Sequence, residues 1–502
     1  MQIRAPLSTR DKKSGLAYWA QRALEECGKA AQHFAPGPVH DLRVAIRRCR
    51  SLADGFRSVD PDPAWKQMRK LGKELFRSLG DLRDTQVMQE WVARLSEEHD
   101  SVRHTLLCAL EHKESAQKVA AQEALATFDR KRWLALNLKL AKRTGKVPLE
   151  GLVFQHLALE RWMEARALHR QALRNRTQAG YHQLRIGLKR FRYTVENFLP
   201  QRHEKWAADL RDLQDALGDV HDLDVLRALI RKQPEVNPQD RARWYARIAE
   251  ERQKRLDFYR AKMLGKNSLW RMWRAALPSG PALEKAALEK LRAWASFLDP
   301  DVQHSARVTG IALQLYDALA AQHVIHGKPE YRRILEAAAM VHDVGRSKRD
   351  GGHLKRGYRM IEKLKPPLGW RGEELRCVAA VARYHRGALP QTVDSHIVGL
   401  RPGRRLRLLP IVGILRLADA FDCAHDGKIT RVSVEQRDGV LNVYGEGVEE
   451  ISATAEKLAR ARYLLETTSG LAIRIRPMPA KSPHRQSPRG GARHISSAIV
   501  AR

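Results

Sequence analysis

The stretch HDLRVAIRRCR at His40–Arg50 recurs as HQLRIGLKRFR at His182–Arg192, and LGDLRDTQVM at 79–88 recurs as LGDVHDLDVL at 217–226. Both pairs are offset by about 140 residues, so one unit is written twice in the first half of the chain. Each copy is rich in Ala, Leu, Arg, Glu and Gln, with apolar residues at helical spacing and almost no strand signal, as in DPAWKQMRKLGKELFRSLGDLRD and EKWAADLRDLQDALGDVHDLDVL. This predicts a mainly α protein that begins with a pseudo-twofold repeat of helical bundles over residues 8–277, with copies at about 8–140 and 150–275.

On a helix that turns about 100° per residue, steps of 3, 7 and 10 stay within roughly 80° of one another. His40, Arg43, Arg47 and Arg50 therefore form one stripe, and His182, Arg185, Lys189 and Arg192 form its repeat. Arg48 and Arg190 lie off the stripe. The remaining positions are largely apolar, which predicts a helix buried on its flanks with one basic face open. Cations stacked three or four residues apart suit a chain of phosphates, and guanidinium forks hold phosphate oxygens bidentately.

Across 502 residues, 91 Lys+Arg against 57 Asp+Glu give a formal charge of +34. Such a field attracts polyanions: nucleic acid, anionic membrane or inorganic polyphosphate. Aromatic residues are only 6%, and there is no helix-turn-helix, zinc-knuckle or RNP-like signature. Nucleic-acid affinity is therefore expected to be nonspecific and salt-sensitive. No apolar run approaches the length of a membrane span and no signal region opens the chain, which predicts a cytoplasmic protein without a membrane partner. Cys27, Cys49, Cys108, Cys377 and Cys423 form no CxxC pair. The absence of GxxxxGK[ST], of GxGxxG after a predicted strand, and of GxSxG removes the kinase and serine-hydrolase readings.

PSGPALEKAAL at 278–288 breaks the helical pattern and reads as a linker. A second helical domain is expected over 289–428. A small α/β appendage is expected over 429–478, where RVSVEQRDGVLNVYG reads as two strands around an Arg-Asp-Gly turn. Residues 479–502 form a Ser-, Pro-, Gly- and Arg-rich tail of disordered composition.

The second domain carries different chemistry. His304 lies near a helix start, His342-Asp343 end an apolar helix with Gly345 placed for a C-terminal cap, His353 follows in GGHLKRGYRMI, His385 ends another helix, and Asp419 lies within a helix. Imidazoles and carboxylates borne on several helices can converge on a divalent metal such as Mn²⁺, Mg²⁺ or iron, which makes a phosphohydrolase possible. Lys348, Arg349, Lys355 and Arg386 lie near these residues in sequence and offer charge for a phosphate.

The two copies resemble the conserved histidine α-helical (CHAD) domain. The resemblance rests on HDLRVAIRRCR and LGDLRD, each recurring in the second copy, and covers about residues 8–275. It implies paired four-helix bundles around a basic channel that binds inorganic polyphosphate. The binding residues would be His40, Arg43, Arg47, Arg50, His182, Arg185, Lys189 and Arg192. The ordered series AAMVHDVG…GGHLKRGYRMI…VARYHRG…ILRLADAFD, with His304 before it, resembles the HD-superfamily module of the exopolyphosphatase/guanosine pentaphosphate phosphohydrolase family. That resemblance implies a metal-dependent phosphohydrolase with His304, His342, Asp343 and Asp419 as core ligands. His353 and His385 would serve a second metal or phosphate, Asp343 would also orient the attacking water, and Lys348, Lys355 and Arg386 would contact substrate. Relatives often carry a second histidine where this chain has Lys355, and the actin-like half of that family has no counterpart here. The joint expectation is polyphosphate capture and hydrolysis, on polyphosphate granules in the cytoplasm. The alternatives are a non-enzymatic granule-binding protein and a phosphohydrolase acting on a nucleotide.

Overall fold

The computed structural model describes residues 15–97, 99–348, 351–391, 394–449 and 452–478. The expected tail at 479–502 and Arg349 lie outside the described residues. The chain divides into two compact units, one built from the residues up to Val302 plus Asp343–Arg376, the other from Gln303–His342 plus Cys377 onward. Among the described residues, no helix is long and apolar enough to cross a membrane.

The first unit holds α1 (Leu16–His33), α2 (Pro36–Phe56), α3 (Ala64–Leu71), α4 (Lys73–Leu95), α5 (Ser101–Ala126), α6 (Arg130–Thr144), α7 (Leu152–Asn175), α8 (Gln178–Phe198), α9 (Pro200–Arg231), α10 (Pro238–Met263), α11 (Leu269–Ala275) and α12 (Gly280–Ser296). Pro36 and Pro200 open α2 and α9, where a missing N–H costs nothing. Thr177 and Asn237 cap α8 and α10 by accepting from the N–H groups of Gly180 at 3.1 Å and Asp240 at 2.9 Å. The two predicted copies are mainly α-helical, and the repeated segments fall on α2 and α8 and on α4 and α9.

The copies share one apolar core rather than keeping two. Phe154 stacks on Phe198 with centroids 4.2 Å apart. Phe56 meets both edge-on at 5.5 Å, and Trp65 lies parallel to Phe56 at 5.0 Å. A Cβ on Gly55 would come within 2.3 Å of the Phe198 ring, so glycine lets α2 approach this closely. A second core joins the ends of α4 and α5 to those of α9 and α10 through Trp91, Leu106, Leu223 and Trp244.

The segment expected as a linker is mostly helix. Residues 280–288 form the first half of α12, which packs on α7 and bonds Lys290 Nζ to Glu160 at 2.9 Å. Pro281 sits where a helix starts, so the sequence break marks a new helix and not a flexible joint. The 343–376 stretch, read from sequence as part of the second domain, clusters with the first unit. It holds a 3-10 turn at Val344–Ser347 and α15 (His353–Glu362), and the Leu368 N–H donates to buried His156 Nε2 of α7 at 2.9 Å. Gly345 was expected to cap a helix in a left-handed conformation. Its φ is not positive; instead the His353 carbonyl oxygen would lie 2.0 Å from a Cβ there, so close chain approach requires the glycine.

The second unit contains α13 (Val302–Ala321), α14 (Pro329–Val341), most of α16 (Gly372–Arg383), α17 (Ser395–Val398), α18 (Pro402–Phe421), β1 (Val432–Arg437), β2 (Val440–Gly445), α19 (Ala453–Ala461), α20 (Tyr463–Ser469) and β3 (Ala472–Pro477). The sheet order is β1-β2-β3, antiparallel then parallel, with Val432 opposite Gly445 and Val440 opposite Ala472. The β1–β2 turn uses positive φ at Asp438 and Gly439, as the Arg-Asp-Gly reading expects. Gln314 of α13 and Gln322 just after it bond the backbone of edge strand β1 at Val432, Val434 and Gln436, covering its open polar groups. Gly413 lets α20 sit against α18: a Cβ would lie 3.0 Å from the Leu465 nitrogen. The appendage is thereby seated on the helix that carries Asp419.

The Phe198→Ala variant is expected to lose about 3–5 kcal/mol of stability, read from urea unfolding by far-UV circular dichroism.

Candidate polyanion groove and metal centre

In the first unit the two basic stripes lie on helices that touch. His40 is exposed, while Arg43, Arg47, Arg50, His182, Arg185, Lys189 and Arg192 are partly buried. The two cations placed off the stripe are paired: Arg48 with Glu196 and Asn197, and Arg190 with Glu164 at 2.7 Å. On the stripe, Arg43 has only a distant carboxylate, Asp84 at 3.8 Å, and Arg192 has Glu196 at 3.9 Å. Among the described residues, no carboxylate lies within 4.0 Å of Arg47, Arg50, Arg185 or Lys189. Three of them lean on rings instead: Arg47 over Tyr193 at 5.2 Å, Lys189 over the same ring at 6.0 Å and Arg50 over Phe76 at 4.8 Å. Arg47, Arg50, Arg69, Arg161 and Lys189 line a cavity of 430 Å³.

Burial, followed by Arg47, Arg185 and Arg43, pushes the Lys189 ammonium down to about 7, against the weaker pull of Asp84. Burial also lifts Asp222, from the second LGDxxD, to about 6 despite Arg185. His221, not singled out from sequence, faces His182 with Nδ1 atoms 3.3 Å apart, and burial with Arg185 lowers it to about 4. The groove thus mixes paired cations, Arg69 on Asp54 at 2.9 Å and Arg161 on Glu164 at 3.0 Å, with Arg47, Arg50, Arg185 and Lys189, which have no such partner among the described residues.

In the second unit, four side chains from four separate segments meet. His342 follows α14, His385 follows α16, His304 lies in the first turns of α13, and Asp419 lies on α18; all four are buried. His342 Nδ1 donates to the Ala339 carbonyl at 2.8 Å, and His385 Nδ1 donates to the Ala382 carbonyl at 2.7 Å. A carbonyl can only accept, so each ring carries its proton on Nδ1 and keeps a lone pair on Nε2. His342 Nε2 lies 3.7 Å from Asp419 Oδ1, and the His342 and His385 ring centroids are 4.7 Å apart. Ligand-capable atoms of His342, His385 and Asp419 fall within 4.8 Å of one another. Two imidazole Nε2 atoms and a carboxylate are the donor set of a divalent transition metal, and the residues fit one.

His304 donates from Nδ1 to Asp422 Oδ2 at 2.7 Å and turns Nε2 to Asp419 Oδ1 at 3.3 Å. Burial opposes its protonation, yet Asp419 and Asp422 raise its pKa above the ordinary value. Burial would likewise raise Asp419, but His304, Arg386, His385 and His342 hold it well below the usual carboxylate range. Arg386 engages both Asp419 oxygens, with Nη2 to Oδ1 at 2.8 Å. Asp422 also bonds Arg307 Nε at 2.9 Å, and His425 stacks on His304 at 3.9 Å. Asp422 thus fixes the orientation of the His304 ring. The sequence reading missed it, although it stands three residues, close to one helical turn, past Asp419. Within this unit His385 stands with His342 and Asp419.

The other residues named from sequence belong to the first unit. Asp343 is buried and pairs with Arg346 at 3.1 Å. His353 begins α15, and Lys348 and Lys355 are exposed.

Two predictions follow from these environments. Below pH about 7 Lys189 is charged in both folded and unfolded chains and its full burial cost is present; between about 7 and 10.5 the unfolded chain holds the extra proton, so stability rises with pH. Lys189→Met is therefore expected to raise Tm at pH 6, with the gain shrinking toward pH 10. Asp422→Asn is expected to weaken Mn²⁺ binding about 10–100-fold, measured by equilibrium dialysis of the folded variant.

Comparison with known proteins gives two family matches. Residues 20–231 match the CHAD domain, and residues 290–444 match Ppx/GppA phosphatase, domain III. Among solved structures, the CHAD domain from the plant Ricinus communis is similar at 21% identity, over 56% of this chain and 98% of that one, with a TM-score of 0.35. No curated protein matches. The chain thus carries a segment that matches the CHAD domain followed by one that matches a Ppx/GppA phosphatase domain III.

Proposed function

We propose that the chain binds inorganic polyphosphate through the doubled cationic stripe and hydrolyses polyphosphate, or a related phosphoanhydride, at the His/Asp centre. One observation carries the hydrolytic part. His342 and His385 each spend Nδ1–H on a backbone carbonyl three residues back, which leaves Nε2 basic beside the ionised Asp419. This arrangement is wasteful for a mere core and suited to holding a metal. A divalent metal supplies Lewis acidity toward a phosphoryl oxygen and acidifies bound water.

The chain's own groups do the rest. His304, His342, His385 and Asp419 hold the centre, with Asp422 orienting His304. Asp343, next after His342, takes the role of orienting the attacking water, and His353 that of a further ligand or phosphate contact. Arg386, already on Asp419, neutralises a phosphate, with Lys348 and Lys355 as additional substrate contacts. In the CHAD domain, Arg43, Arg47, Arg50, Arg185, Lys189 and Arg192, with His40 and His182, bind the polyanion. Joining capture to cleavage in one chain raises the local substrate concentration. Such a protein would work on cytoplasmic polyphosphate granules.

A second reading has one observation in its favour. The paired bonds from Arg386 to Asp419 neutralise the carboxylate without a metal, as a non-enzymatic polyphosphate-binding protein would permit. Phosphate release from long-chain polyphosphate, with Mn²⁺, Mg²⁺ or no metal, separates the two. Metal-dependent release is expected from the wild type, with a loss of at least ~100-fold in Asp343→Ala and Asp419→Ala, both folded and still binding polyphosphate. Tight binding without release from the metal-loaded wild type would leave only the binding role, with nucleotides as the next substrates to try.

A further inference from the structure

Beside the His/Asp centre, the second unit has a cavity of 260 Å³ whose wall runs from His385 and Asp419 to α19 of the appendage. Four cations line it: Arg386, Arg416, Lys457 and Arg460. They do not have the same task. Arg416 donates to the carbonyls of Tyr384 at 2.8 Å and Gly387 at 2.9 Å, so it fixes the turn that presents His385 and Arg386. Arg386 is committed to Asp419. Lys457 and Arg460 are exposed on one face of α19, three residues apart, and among the described residues no carboxylate lies within 4.0 Å of either. The Ser452 cap and buried Leu458 hold their helix in place.

We infer that Lys457 and Arg460 form a subsite for the second and third phosphates of an anhydride-linked phosphate run whose terminal phosphate reaches His385 and Asp419. The inference rests on the hydrolytic reading of that centre. Among the described residues, Asp419 is the one carboxylate on the cavity wall against four cations. That surplus positive charge favours a ligand with several phosphates over a single phosphomonoester. Stacked cations one helical turn apart suit successive phosphates along a chain. The appendage helix thus acts as a specificity element and Arg416 as a positioning residue. The phosphate run is common to an inorganic chain and to a nucleoside oligophosphate.

The test uses the full-length Mn²⁺-loaded chain carrying Arg47→Ala and Lys189→Ala throughout, so that the CHAD groove does not contribute. Lys457→Glu/Arg460→Glu is compared with its parent on tripolyphosphate, a nucleoside triphosphate and p-nitrophenyl phosphate, after circular dichroism confirms the fold. KM is expected to rise about tenfold or more for the polyphosphorylated substrates, with kcat and the monoester kinetics unchanged. A rise for both substrates supports a subsite that reads the phosphate run alone; a rise only for the nucleoside triphosphate supports a run carried by a nucleoside. An unchanged KM for both overturns the inference. Should the parent show no turnover, the hydrolytic reading fails, and calorimetric binding of tripolyphosphate decides separately. Affinity lost in the variant upholds the subsite, and equal affinity overturns it.

Discussion

The aromatic contact that joins the two repeats, Phe154 stacked on Phe198 with Phe56 edge-on to both, holds together two helix faces that repel each other. Burying such rings yields about 1.5–3 kcal/mol each, and aromatic geometry adds roughly 0.5–1.5 kcal/mol per pair. Against this, two like charges about 4 Å apart cost roughly 4 kcal/mol near a protein surface. The rings outweigh one such pair, and the groove eases the repulsion further by letting Lys189 approach neutrality near pH 7. Gly55 is part of the same arrangement, because any larger residue would displace the Phe198 ring.

The same physics explains why Arg48 and Arg190 differ from their neighbours. One residue off the stripe, a side chain reaches Glu196 or Glu164 and is satisfied. On the stripe it meets Phe76, Tyr193 or another cation. The stripe cations stay unneutralised because Asp84 stands 3.8 Å from Arg43, while Asp54 on the cavity wall is taken by Arg69 at 2.9 Å.

Much of this was legible before any coordinates. The recurrence of HDLRVAIRRCR located the helices and the stripe, and helical phase alone separated Arg47 from Arg48. Strand alternation around Arg-Asp-Gly located β1 and β2. What stayed illegible depended on tertiary contact. PSGP looks the same whether it precedes a loop or opens α12 with Pro281, and only the packing on α7 decides. Gly345 looks like a cap until the His353 carbonyl is seen against it. Asp422 gains its role from His304, more than a hundred residues away in sequence. Lys457 and Arg460 read as ordinary surface charge on an amphipathic helix. Only the fold brings them to one cavity wall with Asp419.

Under the proposed function, the two centres handle the same anion chemistry in opposite ways. The CHAD groove leaves cations unmatched, so binding a polyanion relieves repulsion that is already present and stays reversible and salt-sensitive. The His/Asp centre does the reverse: its carboxylates are buried and saturated with positive partners, His304 between Asp419 and Asp422 and Arg386 upon Asp419. A phosphate arriving there competes with Asp419 for Arg386, so its entry must loosen an ion pair before it gains a cation. Cations further out on the cavity wall gain weight from this. With Arg386 spent on Asp419, the proposed subsite offers a phosphate run Lys457 and Arg460, which have no carboxylate within 4.0 Å among the described residues.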